Sequence, residues 1–125
     1  MLKHTINKDK KDDYYHYGTI DFKTDNANFS LSFGMDRRIH IGDKYYEKND
    51  LINKINNLEN NNKSIFFCTM NGNIIFSSEE EDIIKIYFKS SQTYHGFEMS
   101  ITFQNKKKFI DELCNIVNDI FSYSF

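Results

Sequence analysis

The sequence predicts an α+β fold, a mostly antiparallel twisted sheet of about seven strands in the order β-β-β-α-β-β-β-β-α, with the C-terminal helix packed on the sheet. Three observations carry this expectation. In "GFEMSITFQ", residues 96–104, Phe97, Met99, Ile101 and Phe103 alternate with Glu98, Ser100 and Thr102, the period of a strand with one covered face. Near the C-terminus, Phe109, Ile110, Leu113, Ile116, Val117, Ile120 and Phe121 recur at helical spacing as a broad apolar stripe. In "IFFCTMNGNIIF", residues 65–76, Asn71-Gly72 separates two apolar runs and suits a two-residue hairpin turn, whose central positions both need positive φ.

Each element follows from its own residues. Residues 1–13 are polar, charged and aperiodic, which predicts a flexible N-terminal arm ahead of a single domain over 14–125. "YYHYGTIDF" (14–22) is aromatic and β-branched, a strand composition. Phe29, Leu31 and Phe33 alternate with Ser30 and Ser32 in the next strand. Residues 37–46 repeat that logic, with Ile39 and Ile41 opposite Arg38 and His40. A helix is expected over 48–61, with Asn49 or Asp50 as its cap and Leu51, Ile52, Ile55 and Leu58 on one face, ended by a run of asparagines. The hairpin over 63–78 is expected to set Met70 against Asn73, Cys68 against Ile75 and Phe67 against Phe76. One of its faces then carries Phe66, Cys68, Met70 and Ile75, and the other Ile65, Phe67, Ile74 and Phe76. Neither face is polar, so the second needs a cover, either the sheet curling on itself or a partner protein. An acidic turn leads into the strand at 84–88, with Ile84, Ile86 and Phe88 inward and Lys85, Tyr87 and Lys89 outward. Asn105 is placed to cap the last helix. Both halves of the chain close on strand, polar turn and amphipathic helix, a pseudo-repeat of pattern.

Composition narrows the functional classes. The 125 residues carry 18 acidic and 16 basic side chains, a formal charge of −2, without the basic footprint of a general nucleic-acid binder. No apolar run reaches the roughly 18 residues of a membrane span, and the N-terminal segment lacks a secretory h-region. A cytoplasmic protein is expected, with Cys68 and Cys114 as free thiols buried in the core. Sixteen Ile, 15 Asn and 14 Lys, with no Pro or Trp and a single Ala, are the signature of AT-rich coding sequence, as in a low-GC bacterium, its phage or a protist.

Catalytic motifs are not found. The histidines, His4, His16, His40 and His95, and the two cysteines show no zinc spacing, and no nucleophile elbow or phosphate-cradling glycine loop occurs. The expectation is therefore a non-enzymatic chain without metal or cofactor. For a protein partner, the candidate contacts are Tyr14, Tyr15, Tyr45 and Tyr46 together with the acidic turn Glu79, Glu80, Glu81 and Asp82. The most concrete form of this reading is an immunity-type or anti-defence (anti-CRISPR-like) inhibitor, whose acidic side chains meet a basic cleft; a homodimer is also open. The alternative is single-stranded nucleic acid, stacked on Tyr87 and held by Arg37, Arg38, Lys85, Lys89, Lys106, Lys107 and Lys108. The repeated sheet-then-helix order resembles the ββββα unit of Pur-type and PC4-like single-strand binders. That resemblance covers most of the chain by element order, and it implies a sheet-based nucleic-acid platform.

Overall fold

The computed structural model describes residues 2–8, 16–25, 27–69, 72–90 and 98–122. Among them the chain forms two antiparallel meanders, each followed by a helix. The first sheet runs in sequence order through β1 (Leu2–Lys8), β2 (His16–Lys23), β3 (Asn28–Met35), β4 (Ile39–Ile41) and β5 (Lys44–Tyr46). Helix α1 (Lys48–Asn56) follows, and a 3₁₀ turn at Asn57–Glu59 extends it. The second sheet runs through β6 (Ser64–Thr69), β7 (Gly72–Ser77), β8 (Ile83–Ser90) and β9 (Glu98–Gln104), and α2 (Lys106–Ser122) closes the described chain.

The α+β class and the sheet-then-helix order agree with the sequence, but a single sheet of about seven strands does not. Two strands escape the reading of hydrophobic pattern. Leu2–Lys8, expected within a loose arm, forms β1 by pairing along β2 from Leu2↔Phe22 to Lys8↔His16. Leu2, His4 and Ile6 share its inner side, and the interleaved lysines and polar residues hide that alternation in the sequence. Residues 9–13 of the expected arm lie outside the described residues. The segment 37–46, expected as one strand, is a tight hairpin turning at Gly42, whose φ is +63°. A Cβ there would lie 1.9 Å from the Cys68 carbonyl oxygen, so the turn can abut β6 only with glycine.

The central hairpin keeps its predicted faces but not its register. Thr69 pairs with Gly72, Cys68 with Asn73 and Phe66 with Ile75, a slide of two residues from the expected alignment. A slide of two preserves which side chains share a face, whereas a slide of one would invert them. Gly72 belongs to β7 rather than to the turn. Its φ is +151°, and a Cβ would stand 2.1 Å from the Lys89 carbonyl oxygen, so glycine here permits the close approach of β8. Met70 and Asn71 lie outside the described residues, as does Phe97.

The inner faces of both sheets and both helices share one apolar core. Phe22 is its hinge point, with ring centroids 5.3 Å from Phe76, 6.5 Å from Phe103 and 6.3 Å from Phe109, which ties the first sheet to the second and to α2. Leu51 and Ile55 of α1 are buried, as are all seven residues of the α2 stripe. Burying each such side chain favours folding by about 1.5–3 kcal/mol. At the start of α1, Glu47 occupies the cap position without a side-chain bond, in place of the expected Asn49 or Asp50, and Asp50 stands in the first turn instead. Asn105 caps α2 as expected, its Oδ1 accepting the Lys108 N–H at 3.2 Å. At the other end of α2, His4 Nε2 lies 2.6 Å from Asp119 Oδ2 and fastens β1 to the helix.

Candidate functional site

The outer face of the second sheet follows from strict alternation on four paired strands. Register places Phe66, Ile75, Tyr87 and Ser100 in one row across β6, β7, β8 and β9. One flanking row holds Ser64, Ser77, Lys85 and Thr102; the other holds Cys68, Asn73, Lys89 and Glu98. The central row is apolar and open: Phe66 is 48% exposed and Tyr87 39%. Ile75 between them is half-buried. This is the second apolar side of the hairpin, and none of the described residues buries Phe66 or Tyr87. The sequence flagged the hairpin as apolar on both faces, yet gave no reason to select Phe66 or Ile75, since either side could have been the core.

Cys68 corrects an expectation. It stands exposed on this face, its Sγ 3.2 Å from Asn73 Oδ1, rather than in the core. Cys114 is half-buried on α2, and burial, with the Asp111 and Glu59 charges adding, pushes its thiol upward and keeps it protonated. A protonated thiol is a poor nucleophile. Among the described residues no group of three His, Cys, Asp or Glu side chains could hold a metal ion.

At one end of the face, the acidic turn Glu79–Asp82 projects between β7 and β8, with all four residues exposed. Its base is fixed from below. Ser78 is fully buried, and its hydroxyl donates to the Asn60 carbonyl at 2.7 Å. Lys106 is only 6% exposed; its ammonium donates to Asn61 Oδ1 at 3.1 Å and to the Ser78 carbonyl at 3.3 Å. The Lys106 N–H also donates to the Asp82 carbonyl at 3.1 Å, joining the turn to the start of α2. Lys106, expected at a nucleic-acid contact, is thus a buried clamp; a charge there is tolerable because acceptors surround it. Lys107 and Lys108 are exposed beside it. Within the turn, Glu80 Oε1 lies 2.5 Å from Lys85 Nζ, and that bond raises the lysine pKa above its ordinary value.

The remaining candidates sit elsewhere. Tyr45 is 56% exposed on the first sheet, with the Arg38 guanidinium 3.7 Å above its ring and the His40 ring at 5.7 Å. Arg37 and Arg38 belong to a turn organised by Asp36, which accepts both of their backbone N–H groups. Chiefly the Arg38 N–H bond, opposed by partial burial and helped by Arg37 and His40, holds the Asp36 carboxyl at about 2 against 3.8 ordinarily. Tyr46 faces the core, its ring centroid 5.7 Å from that of Phe67, and burial raises its pKa, with smaller contributions from Cys68 and Asp43. Tyr14 and Tyr15 lie outside the described residues. Lys85, Tyr87 and Lys89 are therefore brought together on β8 with Glu80 nearby, while Arg37, Arg38 and Tyr45 form a separate group on the other sheet.

Other features offer less. An open groove of about 810 Å³ runs between the first sheet and the end of β9, but its charged lining mixes Lys3 and Lys23 with Asp21 and Asp25. No helix among the described residues is long and apolar enough to cross a membrane. Comparison with protein-family models, curated proteins and solved structures finds no match for this chain.

Proposed function

We propose that this chain acts without chemistry of its own, as a protein-binding module whose contact surface is the outer face of the second sheet. The observation that carries the reading is the open row Phe66–Ile75–Tyr87. An apolar centre bordered by Ser64, Asn73, Thr102 and the two lysines has the composition of a protein interface, with an apolar core and a polar rim. Aromatic anchors at the centre of such a patch contribute most of the binding energy.

In its most concrete form the module is an immunity-type or anti-defence inhibitor. The turn Glu79–Asp82, held firmly at the edge of the same face, supplies acidic side chains for a basic cleft and steers the encounter. Single-stranded nucleic acid is the second reading, and one observation favours it: Tyr87 stands between Lys85 and Lys89 on one strand face, an arrangement that suits a stacked base and its phosphates. Charge weighs against it. Lys85 is already paired with Glu80, Lys106 is buried, and Arg37 and Arg38 lie on the other sheet, which breaks any continuous cationic track.

Immobilised wild-type chain and its Tyr87→Asp variant, with matched circular-dichroism melts, form the test against extract from the source cell. The expected result is a protein retained by the wild type and lost by the variant. Retention unchanged by the variant, or retention only of nuclease-sensitive material, would overturn the proposal.

A further inference from the structure

We infer that the chain carries a separate anion-binding cavity where the two sheets meet, and that its ligand is a small organic phosphate. The cavity, of about 360 Å³, opens where β5, the end of α1 and the start of β6 converge. Phe66 borders both this cavity and the open row, but neither site depends on the other.

Three elements each bring one lysine to the hollow. Strand alternation sets Lys44 and Tyr46 on the same side of β5, opposite Tyr45. Lys54 and Asn57 lie three residues apart and so share a face where α1 ends. Lys63 leads into β6, which adds Ser64 and Phe66 from its outer side. Backbone contacts hold these walls in place. The Gly42 turn packs directly on the Cys68 carbonyl, which keeps β5 beside β6. The Lys63 carbonyl accepts the Ser78 N–H at 2.9 Å, and the Lys63 N–H donates to the Ser78 hydroxyl at 3.3 Å.

The charge around the cavity has one sign. All three lysines are exposed, and among the described residues none of their ammonium groups is ion-paired. Asp43, Glu47, Asp50 and Glu59 are the acids closest along the chain, yet none of them lines the cavity. The Glu59 charge is felt instead at Cys114 on α2. Lys54 also suits the negative end of the α1 dipole, a benefit that Lys44 and Lys63 do not share. Three like charges that converge without a counter-charge repel one another, and a bound anion relieves that repulsion. The larger groove beside the first sheet lacks this property, since Asp21 and Asp25 balance its Lys3 and Lys23.

The donors select the class of anion. A phosphate monoester carries a charge of about −1.5 to −2 on three strong acceptor oxygens. A carboxylate offers two oxygens and a single charge. Three ammonium groups with the Asn57 amide and the Ser64 hydroxyl match the phosphate. Tyr46 and the exposed Phe66 supply an aromatic wall for the body of the ligand. A nucleic-acid strand fits poorly, because it needs a track for roughly four or more nucleotides and these lysines surround one hollow.

NMR titration of the isotope-labelled chain with phenyl phosphate, at constant ionic strength, tests the assignment. The expected result is saturable shifts of the backbone amides at 44–46, 54–57 and 63–66. The Kd should be about 1 mM or tighter. Benzoate, the same ring on a carboxylate, should bind at least tenfold more weakly, and inorganic phosphate should also bind more weakly than the ester. A variant with both Lys54→Gln and Lys63→Gln should lose at least tenfold in affinity with an unchanged circular-dichroism melt. Lys108→Gln, an exposed lysine outside the cavity, should bind as the wild type does. The inference is overturned by the absence of saturable shifts up to about 20 mM phenyl phosphate, or by shifts centred elsewhere. It is equally overturned if benzoate or inorganic phosphate matches the ester, or if the double variant binds unchanged. The protein-contact reading is judged separately, by Tyr87→Asp, which lies outside this cavity.

Discussion

Asp36 shows how one side chain organises a loop that hydrophobic pattern cannot describe. Its carboxylate accepts the Arg37 and Arg38 N–H groups and lies 3.2 Å from His40 Nε2, and this fixes the turn that delivers Arg38 onto Tyr45. The folded-state value of about 2 lies below the ordinary 3.8, so the native state favours the charged form. Its contribution is complete above about pH 5 and is lost as pH falls toward 2 through the folded-state value. The side chain is about half exposed, which holds the effect below about 1 kcal/mol. Asp36→Asn keeps an acceptor for the turn but removes the titration. Urea unfolding should therefore show a shallower loss of stability for the variant than for the wild type between pH 5 and pH 2. Lys106 carries the same lesson in reverse. It reads as part of the lysine run at 106–108, yet its ammonium is buried against Asn61 and the Ser78 carbonyl, contacts across 45 and 28 residues of sequence that local pattern does not report.

At the scale of elements, what was legible followed amphipathicity. The stripe of α2, the alternation of β8 and β9 and the two faces of the hairpin all match the sequence, because burial on one side dictates which residues repeat and at what period. Elements stabilised by pairing or by close backbone approach were hidden. Gly42 splits one expected strand into β4 and β5, and β1 is polar enough to read as an arm because only Leu2 and Ile6 mark its inner side with apolar carbons. The site was half legible for a related reason. Lys85, Tyr87 and Lys89 could be placed outward on β8, but Phe66 and Ile75 belong to a hairpin with two apolar faces, and only the tertiary arrangement selects which one stays open. The status of β1 is directly testable. Its removal would uncover the edge of β2, expose Phe22 and discard the His4–Asp119 link to α2. Deleting residues 1–8 should lower the melting temperature by several degrees, at about 4–8 °C per kcal/mol for a domain near this size. An arm without structural role would leave the melt unchanged.

At the scale of the whole molecule, two meanders and two helices enclose one core and leave two sheet faces outward. The face of the first sheet is lined by Lys3, Thr5, Thr19, Asp21 and Ser30, whose polar side chains pair with one another, as Ser30 with Asp21 and Thr5 with Thr19 show. The face of the second sheet is apolar along its centre. That asymmetry leaves one outer face polar and the other apolar along its centre, and a net charge of −2 offers no general attraction for phosphates. Most direct for the central claim, that this face contacts protein rather than nucleic acid, is fluorescence-anisotropy titration of mixed-sequence single-stranded DNA and RNA at low and moderate salt. The account predicts no binding at low salt up to about 100 µM chain. Micromolar or tighter affinity that falls steeply with salt and disappears in Tyr87→Asp would contradict it, because release of phosphate counterions would then be driving the association.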